Sequence, residues 1–595
     1  MKLKRGVYFI LALIFGATAF WLLPTGRYGV EAQVPTNLDW PNYGNDLGNN
    51  RFQNVNQINT KNVKNLQVAW VFHTGVLDQF ATLQVSPVVV NGSMFITDGH
   101  DDVFALNAAT GAQLWAYKPL DNGELPALET LPLCCGRNNK GVAVGNGNVY
   151  YGRFDDVAVA LNAQTGAVVW KTKLADFHQG YAIVSAPQFV TSIQFPHGLV
   201  IISLAGGEYE VRGQVLALDS GTGAIVWKTF TTQGPDTWGG NAFLTGGATV
   251  WDVPSIDPAL GLIYVNTGNA APDVLGQNRP GNNNFTASIV AMDVNTGAIK
   301  WSFQEVHHDI WDYDAAQSSV LFNLVRNGVS IPAIGHCNKS GQYFILDRRD
   351  GTPLYAVTER PVPTDPGFQH ASPTQPFSAV EPLTPLTFVR PNDTGFPAAP
   401  QFTPPQQTTF VMVPGNDGGC EWAPAAFSPR TNFVYYGTRY QPTTFHTVPN
   451  NTSTVPVAGT DVPEDQGSSF ATPPTSGTHA FGIFGATDTT TGKVVWKLEV
   501  DQPAKSGIVV AGDVAFFGES NGKFHAVNAA TGAVLFTFDA PAQVANAGGS
   551  NAGPIAYVIN GQEFIANPFG GNLLDRLHFP PDPVGDAIVA FTLPQ

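Results

Sequence analysis

An eight-residue stretch near the middle of the chain, His307 to Asp314, concentrates side chains that can do chemistry. It contains two histidines, three aspartates and two aromatic residues, a combination found nowhere else in the sequence. A carboxylate beside indole and phenol rings is partly desolvated, so it can act as a general base or as a ligand of a hard metal ion. The alternative is a charged loop whose aromatic residues only cover one end of the fold. The eight residues alone leave both interpretations open.

Two adjacent cysteines, Cys134 and Cys135, are the second unusual feature. Neighbouring cysteines can close on each other, although geometry usually disfavours such a bond. The alternative is separate pairing with Cys337 and Cys420, the remaining cysteines of the chain. Cys337 and Cys420 can also pair with each other or stay buried as free thiols. No Cys-x-x-Cys-His motif is present, so no covalent haem is expected and electrons must leave through a separate carrier.

A repeat along the chain supplies the elements that must position these residues. Its unit is a small residue, a turn with Thr-Gly and then an aromatic residue, which is typical of strand, turn and strand with glycine at a positive φ. The copies end at tryptophans or at other aromatic residues: Trp115, Trp170, Trp227, Trp301, Tyr355, Trp496 and Phe536. The first five are 54 to 74 positions apart. A period of this size with several β-segments per unit predicts propeller blades.

The predicted fold is therefore all-β, an eight-bladed β-propeller with tryptophan-docking-type repeats. Seven marked units and one unmarked unit, placed around Phe427 to Tyr436, give the eight blades. The segments near Trp40 to Trp70 and near Gly553 to Phe591 are expected to share a sheet and close the ring, which removes free edges. The repeated tryptophans are expected to pack between neighbouring sheets in a structural role.

Composition supports this fold and excludes some functions. The 595 residues include 62 Gly and 45 Pro but only 13% charged residues, which favours short strands joined by turns. A closed repeat array can reach this length as one domain. The formal net charge of −16 argues against nucleic-acid binding and is compatible with a basic protein partner. No glycine-rich dinucleotide fingerprint follows a strand, which argues against NAD.

Residues 1–32 are predicted to be an export signal. A basic start precedes an apolar run from Val7 to Leu23, and small residues before Gln33 predict cleavage there. The alternative is an uncleaved anchor, which would be the chain's only means of membrane association. In both cases the folded part, residues 33–595, is expected in the periplasm, where disulfides are permitted. Two Pro- and Thr-rich stretches, residues 357–412 and 440–480, are predicted as long loops over one end of the propeller or as partly disordered segments.

Several motifs occur in an order that points to one family. After Cys134-Cys135 come Gly207 to Gly213, Thr267 to Pro272 and His308 to Asp312. With the repeats, they resemble the pyrroloquinoline quinone (PQQ)-dependent alcohol dehydrogenases, such as methanol and ethanol dehydrogenase, over nearly the whole chain. The resemblance implies oxidation of an alcohol hydroxyl to an aldehyde or ketone, with hydride passing to quinone C5 and electrons to a periplasmic cytochrome c.

The resemblance also implies a metal site and a catalytic base. Glu208 and Asn269 match metal ligands, and Asp312 matches the base and a further ligand. Oxygen ligands of this kind suit a hard cation. Asp314 would be an extra ligand by analogy with the lanthanide-dependent members, whereas relatives acting on sugars and polyols share its Trp-Asp-x-Asp pattern. Calcium and a lanthanide therefore both stay open.

The implied cofactor contacts involve both faces of the quinone. Cys134 and Cys135 match a vicinal disulfide stacked on one face, and Trp251 matches the indole that covers the other. Lys339 matches the catalytic cation that hydrogen-bonds the reactive quinone oxygens and stabilises the charge that develops there. The remaining implied contacts are polar side chains: Lys140, Thr249 and Glu208.

Some positions depart from the family's pattern. Gln84 stands where an acidic cofactor contact is usual, Arg153 where a small hydroxyl residue is usual, and Lys505 in the place of a tryptophan. The added cations can still pair with the cofactor's three carboxylates. The stretches Val306 to Asp309 and Arg360 to Phe377 look more like the glucose and polyol branch.

The expected substrate is a small alcohol, and two other functions stay open. One is a polyol, sugar or polymer-alcohol dehydrogenase that uses the same cofactor. The other is a non-catalytic propeller scaffold, which would require Glu208, Asn269, Asp312 and the cysteine pair to coincide by chance.

Overall fold

The structure is a computed structural model that describes residues 36–78, 80–365, 367–448, 470–472, 477, 479–571 and 583–594. The predicted export signal, residues 1–32, lies outside the described residues, and so does a large part of the predicted loop 440–480. The described residues all belong to one unit, Pro35–Gln595. In that part of the chain no helix is long and apolar enough to cross a membrane.

Short strands make up nearly all of the regular structure. The strands up to residue 173 are β1 (Phe52–Gln53), β2 (Gln67–His73), β3 (Val88–Val90), β4 (Ser93–Thr97), β5 (Val103–Asn107), β6 (Gln113–Tyr117), β7 (Ala143–Gly145), β8 (Asn148–Gly152), β9 (Val157–Asn162) and β10 (Val168–Lys173). The next group is β11 (Gln188–Val190), β12 (Leu199–Leu204), β13 (Gln214–Asp219), β14 (Ile225–Phe230), β15 (Ser255–Asp257), β16 (Leu262–Asn266), β17 (Ser288–Asp293), β18 (Ile299–Gln304), β19 (Val320–Arg326), β20 (Val329–Cys337) and β21 (Tyr343–Asp347).

The strands of the C-terminal half follow the same pattern. They are β22 (Val357–Pro361), β23 (Thr374–Ser378), β24 (Ala398–Ala399), β25 (Phe410–Met412), β26 (Ala426–Ser428), β27 (Phe433–Tyr440), β28 (Thr443–His446), β29 (Phe470–Thr472), β30 (Phe481–Asp488), β31 (Lys493–Val500), β32 (Ile508–Ala511), β33 (Val514–Gly518), β34 (Lys523–Asn528), β35 (Val534–Asp539), β36 (Ile555–Ile559), β37 (Gln562–Phe569) and β38 (Ala587–Thr592). The helical segments are short: Val63–Asn65, Leu128–Thr130, Phe177–Gln179, Gly207–Tyr209, Ala242–Leu244 and Ala540–Gln543.

Most strands pair with their sequence neighbours, which confirms the all-β fold class. The sheets that contain the repeats or the chain ends have the strand orders β3-β4-β5-β6, β10-β9-β8-β7, β11-β12-β13-β14, β15-β16-β17-β18, β19-β20-β21, β26-β27-β30-β31, β1-β32-β33-β34-β35 and β2-β38-β37-β36. The hydrophobic core is divided among the spaces between neighbouring sheets. One cluster, for example, joins Phe95 and Trp115 of one sheet to Tyr151 and Val159 of the next.

The repeated aromatic residue of one unit packs on the glycine of the next unit's turn. An ideal Cβ on Gly166, whose φ is +72°, would lie 2.7 Å from Cε3 of Trp115. The Trp115 indole N–H also donates to the carbonyl of Ala163 at 3.0 Å. Gly166 is therefore required both for the positive φ and for the close approach of the indole. The structural role expected for the repeated tryptophans is confirmed.

Two predictions about the chain's path have different outcomes. Strand β2, which includes Trp70, pairs antiparallel with β38, so the chain ends share a sheet as predicted. The prediction of a separate unmarked unit around Phe427 to Tyr436 is wrong, because β26 and β27 join β30 and β31 in the sheet that contains Trp496. The long insertion between β27 and β30 hid this pairing in the sequence.

The stretches predicted as long loops contain short strands. Residues 357–412 include β22 and β23, which pair as a hairpin. Strands β24, β25, β28 and β29 form a further small sheet. The Pro- and Thr-rich sequence shows no period-two alternation there, so these strands could not be predicted from it.

Candidate active site

Three strand ends bring together four of the predicted site residues: Asn269, Asp312, Asp314 and Lys339. Strands β16, β18 and β20 end at Asn266, Gln304 and Cys337, and a site loop follows each of them. The backbone N–H of Ala315 donates to the carbonyl of Thr267 at 3.1 Å, and that of Lys339 donates to the carbonyl of Asp314 at 3.3 Å. These bonds hold the three loops side by side.

The ammonium group of Lys339 lies among three carboxylates. Its Nζ is 3.1 Å from Asp312 Oδ2, 2.9 Å from Asp314 Oδ1 and 3.1 Å from Glu421 Oε1. The side chain of Asp312 is 19% exposed, whereas those of Lys339, Asp314 and Glu421 are 6%, 2% and 5% exposed. Asp312 is therefore the member of this group that a small molecule can reach most easily.

A disulfide fixes the position of Lys339 relative to Glu421. Cys337, two residues before Lys339, is bonded to Cys420, one residue before Glu421. The backbone of Gly418 lies so close that an ideal Cβ there would be 2.4 Å from Cβ of Lys339. Of the pairings left open by the sequence, the structure has Cys337–Cys420 and Cys134–Cys135.

Trp251 packs against the same group from another loop. Its indole N–H donates to Asp314 Oδ2 at 2.8 Å. This contact depends on Gly268, where an ideal Cβ would lie 2.9 Å from Asp314 Oδ2 and 3.2 Å from Trp251 Nε1. The N–H of Gly268 donates to the carbonyl of Thr249 at 2.7 Å. The Lys140 Nζ is 5.0 Å from the centre of the Trp251 ring, a cation–π distance.

The proposed metal ligands Glu208 and Asn269 lie on adjoining turns. Glu208 belongs to the helical turn Gly207–Tyr209. An ideal Cβ on Gly207 would be 3.2 Å from Thr249 Oγ1 and 3.3 Å from Asn269 Oδ1. Cys134 packs on the hydrophobic cluster that includes Tyr209. The Glu208 turn and Asn269 thus form a second group beside the Lys339 group, and Cys134 packs on the cluster to which Tyr209 of that turn belongs.

Burial and charge set the protonation of the Lys339 group. Burial raises the pKa of Asp312 well above its ordinary value; the ammonium of Lys339 opposes this rise, and the carboxylates of Asp314 and Asp273 add to it. Although burial opposes it, Lys339 lowers the pKa of Asp314. The three carboxylates raise the pKa of Lys339 well above its ordinary value, against the effect of burial. The group therefore contains a firmly protonated cation and one carboxylate with raised basicity.

Comparisons with known proteins show the family to which the chain belongs. Residues 40–565 match the sequence model of the PQQ "Glucose/ethanol/alcohol dehydrogenase, beta-propeller domain" family. The chain is 30% identical to a quinohemoprotein alcohol dehydrogenase of Comamonas testosteroni, over 91% of this chain and 74% of that protein. It is 31% identical to a lanthanide-dependent methanol dehydrogenase of Methylacidiphilum fumariolicum (strain SolV), over 84% of this chain and 80% of that protein.

Solved structures give the same result. A quinohemoprotein alcohol dehydrogenase, ADHIIG, from Pseudomonas putida HK5 superposes with a TM-score of 0.76 at 25% identity, covering 93% of this chain and 80% of that one. A europium-containing methanol dehydrogenase superposes with a TM-score of 0.75 at 27% identity, covering 93% and 98%. The chain belongs to the PQQ-dependent alcohol dehydrogenase family. Its fold is that family's β-propeller, and its cofactor is PQQ.

The residues present fit PQQ and a hard metal ion. In the described residues no three His, Cys, Asp or Glu side chains converge as a ready-made metal cluster. The oxygen donors of Glu208, Asn269 and Asp312 nevertheless have the chemistry that calcium and lanthanides prefer. The buried guanidinium of Arg439 has an Nη2 atom without a partner, and such a cation suits an anionic cofactor.

The three residues that depart from the family pattern, Gln84, Arg153 and Lys505, lie in different environments. Gln84 is buried. Arg153 is ion-paired with Asp155 at 2.6 Å and with Glu124 at 3.3 Å. Lys505 is fully buried, with its Nζ 3.9 Å from Asp417 and 5.6 Å from the Trp422 ring centre. Lys505 therefore lies in the loop region that leads to Glu421, whereas Arg153 is already neutralised.

The other polar residues of the stretch 307–314 are structural. Asp309 accepts hydrogen bonds from the backbone N–H groups of Trp311 and Tyr313 at 3.0 and 2.9 Å. The ring nitrogens of His308 lie 2.6 Å from the carbonyls of Gly281 and Gln369. Burial lowers the pKa of His308 to about 4 although both carbonyls oppose this shift, so the neutral ring donates to only one of them. Within this stretch His308 and Asp309 bond the surrounding backbone, whereas Asp312 and Asp314 lie at the candidate site.

Three residues of the site were not found from the sequence. Glu421 contacts Lys339, Asn416 Nδ2 donates to Asp312 Oδ2 at 3.4 Å, and Asp273 accepts from Asn269. Glu421 follows Cys420 directly, so a predicted Cys337–Cys420 bond would have placed it near Lys339. Asp273 comes directly after the motif Thr267 to Pro272 but is not part of it, and Asn416 lies in a loop whose spacing carries no signal.

Proposed function

We propose that this dehydrogenase oxidises the hydroxyl group of a small alcohol to an aldehyde or ketone, using PQQ and a bound metal ion. The observation that carries the proposal is the Lys339 group, in which Asp312, the most exposed of three carboxylates, lies 3.1 Å from the fixed ammonium. A general base works best when its pKa lies near the operating pH. The propeller is proposed to have eight blades, formed by the eight sheets that contain the repeats and the chain ends.

Each residue has a defined part in the reaction. Bound PQQ would supply the acceptor for a hydride from the alcohol carbon, and a bound metal would supply Lewis acidity. Asp312 takes the proton of the hydroxyl group, so the C–H and O–H bonds break without free alkoxide. Lys339 stabilises negative charge that develops on oxygen. Trp251 and the Cys134–Cys135 disulfide are proposed to cover the two faces of the cofactor, and Lys140, Thr249 and Glu208 to contact it.

Glu208, Asn269, Asp312 and Asp314 are the proposed metal-binding residues. Both oxygens of Asp314 accept hydrogen bonds, from Lys339 and from Trp251. A carboxylate oxygen can accept such a bond and coordinate a cation with its other lone pair. The metal is calcium or a lanthanide, and the electrons pass to a cytochrome c in the periplasm.

Reconstitution tests the proposal. The purified protein is loaded with PQQ plus Ca²⁺ or La³⁺, and dye reduction is assayed with methanol, ethanol, a longer primary alcohol, glycerol and glucose. Activity on an alcohol with either metal supports the proposal. Activity only with La³⁺ supports coordination by Asp314. Absence of PQQ binding with both metals would contradict the proposal and favour a scaffold.

A polyol or sugar substrate is the second candidate, and one contact favours it. The two stretches that look like the glucose and polyol branch touch each other. The backbone N–H of His307 donates to Gln375 Oε1 at 2.8 Å, and Gln375 Nε2 donates to the His307 carbonyl at 2.7 Å. Higher activity on glycerol or glucose than on ethanol would select this candidate.

A further inference from the structure

The amide of Asn269 is held by a carboxylate that the sequence motifs do not include. Asn269 Nδ2 donates to Asp273 Oδ1 at 2.5 Å and to the carbonyl of Ala270 at 3.2 Å. Asn269 is 1% exposed and Asp273 is 7% exposed. A hydrogen bond to a charged acceptor in a buried place is stronger than a neutral one. Asp273 therefore fixes the nitrogen end of the Asn269 amide.

Holding the nitrogen decides where the oxygen points. A side-chain amide has one oxygen and one NH₂ group, and both N–H bonds of Asn269 are used by Asp273 and Ala270. The oxygen lies on the other side, 3.3 Å from the Cβ position of Gly207, where the Glu208 turn begins. A flipped amide would set its oxygen against the Asp273 carboxylate and the Ala270 carbonyl, two acceptors. The flipped orientation is therefore strongly disfavoured.

We propose that Asp273 is a positioning residue of the metal site: it fixes the Asn269 amide so that Oδ1, and not Nδ2, faces the Glu208 side. The ligand of that site is a hard cation, calcium or a lanthanide. This inference rests on the proposed function, since Asn269 is a proposed metal ligand. Partners that orient a ligand typically change metal affinity about 10–100-fold.

Metal affinity of the full chain tests the inference without any assay of turnover. Tb³⁺ binding is followed by tryptophan-sensitised luminescence, and Ca²⁺ affinity is obtained by competition. In Asp273→Leu the acceptor is lost, and we expect both affinities to fall about 10–100-fold. In Asp273→Asn the side-chain oxygen can still accept from Asn269 Nδ2, and we expect Ca²⁺ affinity within about threefold of wild type.

The pattern across variants separates the outcomes. Equal losses in Asp273→Asn and Asp273→Leu would overturn the inference, because charge alone would then explain the effect. Wild-type affinity in Asp273→Leu would overturn it as well. Asn269→Leu is the reference: if it binds metal like wild type, the proposed site itself is wrong. If Asp273→Leu does not fold, as judged by thermal unfolding, Asp273→Ala takes its place in the same comparison.

Discussion

The ammonium of Lys339 is buried with three acidic side chains around it, Asp312, Asp314 and Glu421, so acidic groups outnumber cations at the centre of the site. A buried ion group of this kind contributes little net stability when complete, but removing one member leaves the others unpaired. The excess of acidic groups also suits a cation as a further occupant. The same arrangement thus explains a fixed Lys339 and a basic Asp312.

Replacing Lys339 should reveal this charge imbalance. Lys339→Met is expected to lower the free energy of unfolding by about 3–5 kcal/mol at pH 8, because three carboxylates lose their cation. The loss should be smaller at pH 5, since carboxylates with raised pKa values take up protons in the folded state. Denaturant unfolding at both pH values measures this. Lys173→Met, which removes an exposed pair with Asp176, is the control and should change stability by less than about 1 kcal/mol. An equal effect of both substitutions would contradict this picture.

The family resemblance predicted site roles for Asp312, Lys339 and Trp251 because each residue lies in a short, continuous sequence motif. It missed Glu421, which contacts Lys339 from a separate loop, and Asp273, which bonds Asn269 within one loop. Each follows a residue that the sequence analysis did single out, Cys420 and Pro272, but neither shows a periodicity of its own. The Cys337–Cys420 pairing, which the sequence left open, brings Glu421 to Lys339, and the local fold of the loop brings Asp273 to Asn269.

At the scale of the elements, the docking of an aromatic residue on the next unit's glycine is what spaces the sheets. The Thr-Gly and tryptophan of each repeat were visible in the sequence, so the strands and the contact could be predicted together. The complete sheet that contains Trp496 could not be predicted, because a long insertion separates its first two strands, β26 and β27, from the repeat. The hairpin β22–β23 and the small sheet with β24 were missed for a related reason, since proline interrupts their pattern.

A comparison of two glycines, Gly166 and Gly147, measures the energetic contribution of the aromatic ring that packs on the turn. Gly166 and Gly147 both have a positive φ, +72° and +76°, but only Gly166 has the Trp115 ring within 4 Å of its Cβ position. Both alanine substitutions should lose about 1–2 kcal/mol from the left-handed backbone. Gly166→Ala should lose about 1–3 kcal/mol more, because the methyl group overpacks against the indole. Equal losses in denaturant unfolding would show that the indole can move aside at no cost.

At the scale of the whole molecule, the chain ends are joined in one sheet and fastened by a buried carboxyl group. Glu563 on β37 is fully buried and accepts a hydrogen bond from the backbone N–H of Ile58 at 2.9 Å. Burial raises the pKa of Glu563 to about 7 from an ordinary value of 4.5. Because folding favours the protonated form, its contribution to stability is full below about pH 4.5 and is lost as the pH rises through 7.

Removing this titration should change how stability depends on pH. Glu563→Gln keeps an oxygen that can accept from Ile58 but cannot ionise. Relative to wild type, the variant should gain up to about 3 kcal/mol of unfolding free energy between pH 5 and pH 8. Unfolding curves collected at both pH values measure the difference. Parallel pH dependence in the two proteins would rule out Glu563 as the source.

The net charge of the molecule bears on its electron acceptor. With a formal net charge of −16, the protein should attract a basic cytochrome c over long distances. Raising the ionic strength from about 0.01 M to 1 M shortens the Debye length from about 30 to 3 Å, so the transfer rate should fall. A neutral dye as acceptor is the control and should show no such change. A cytochrome rate that is constant across this range would argue against electrostatic association.

The central claim is that Asp312 takes the hydroxyl proton while PQQ accepts the hydride. The most direct test is the rate at which substrate reduces bound PQQ in a single turnover, followed by absorbance, in wild type and in Asp312→Asn. Both proteins are loaded with PQQ and saturating metal, and equal PQQ content is confirmed first. We predict a rate about 10²–10⁴-fold lower in the variant. Reduction at the wild-type rate would contradict the role of Asp312 as the base.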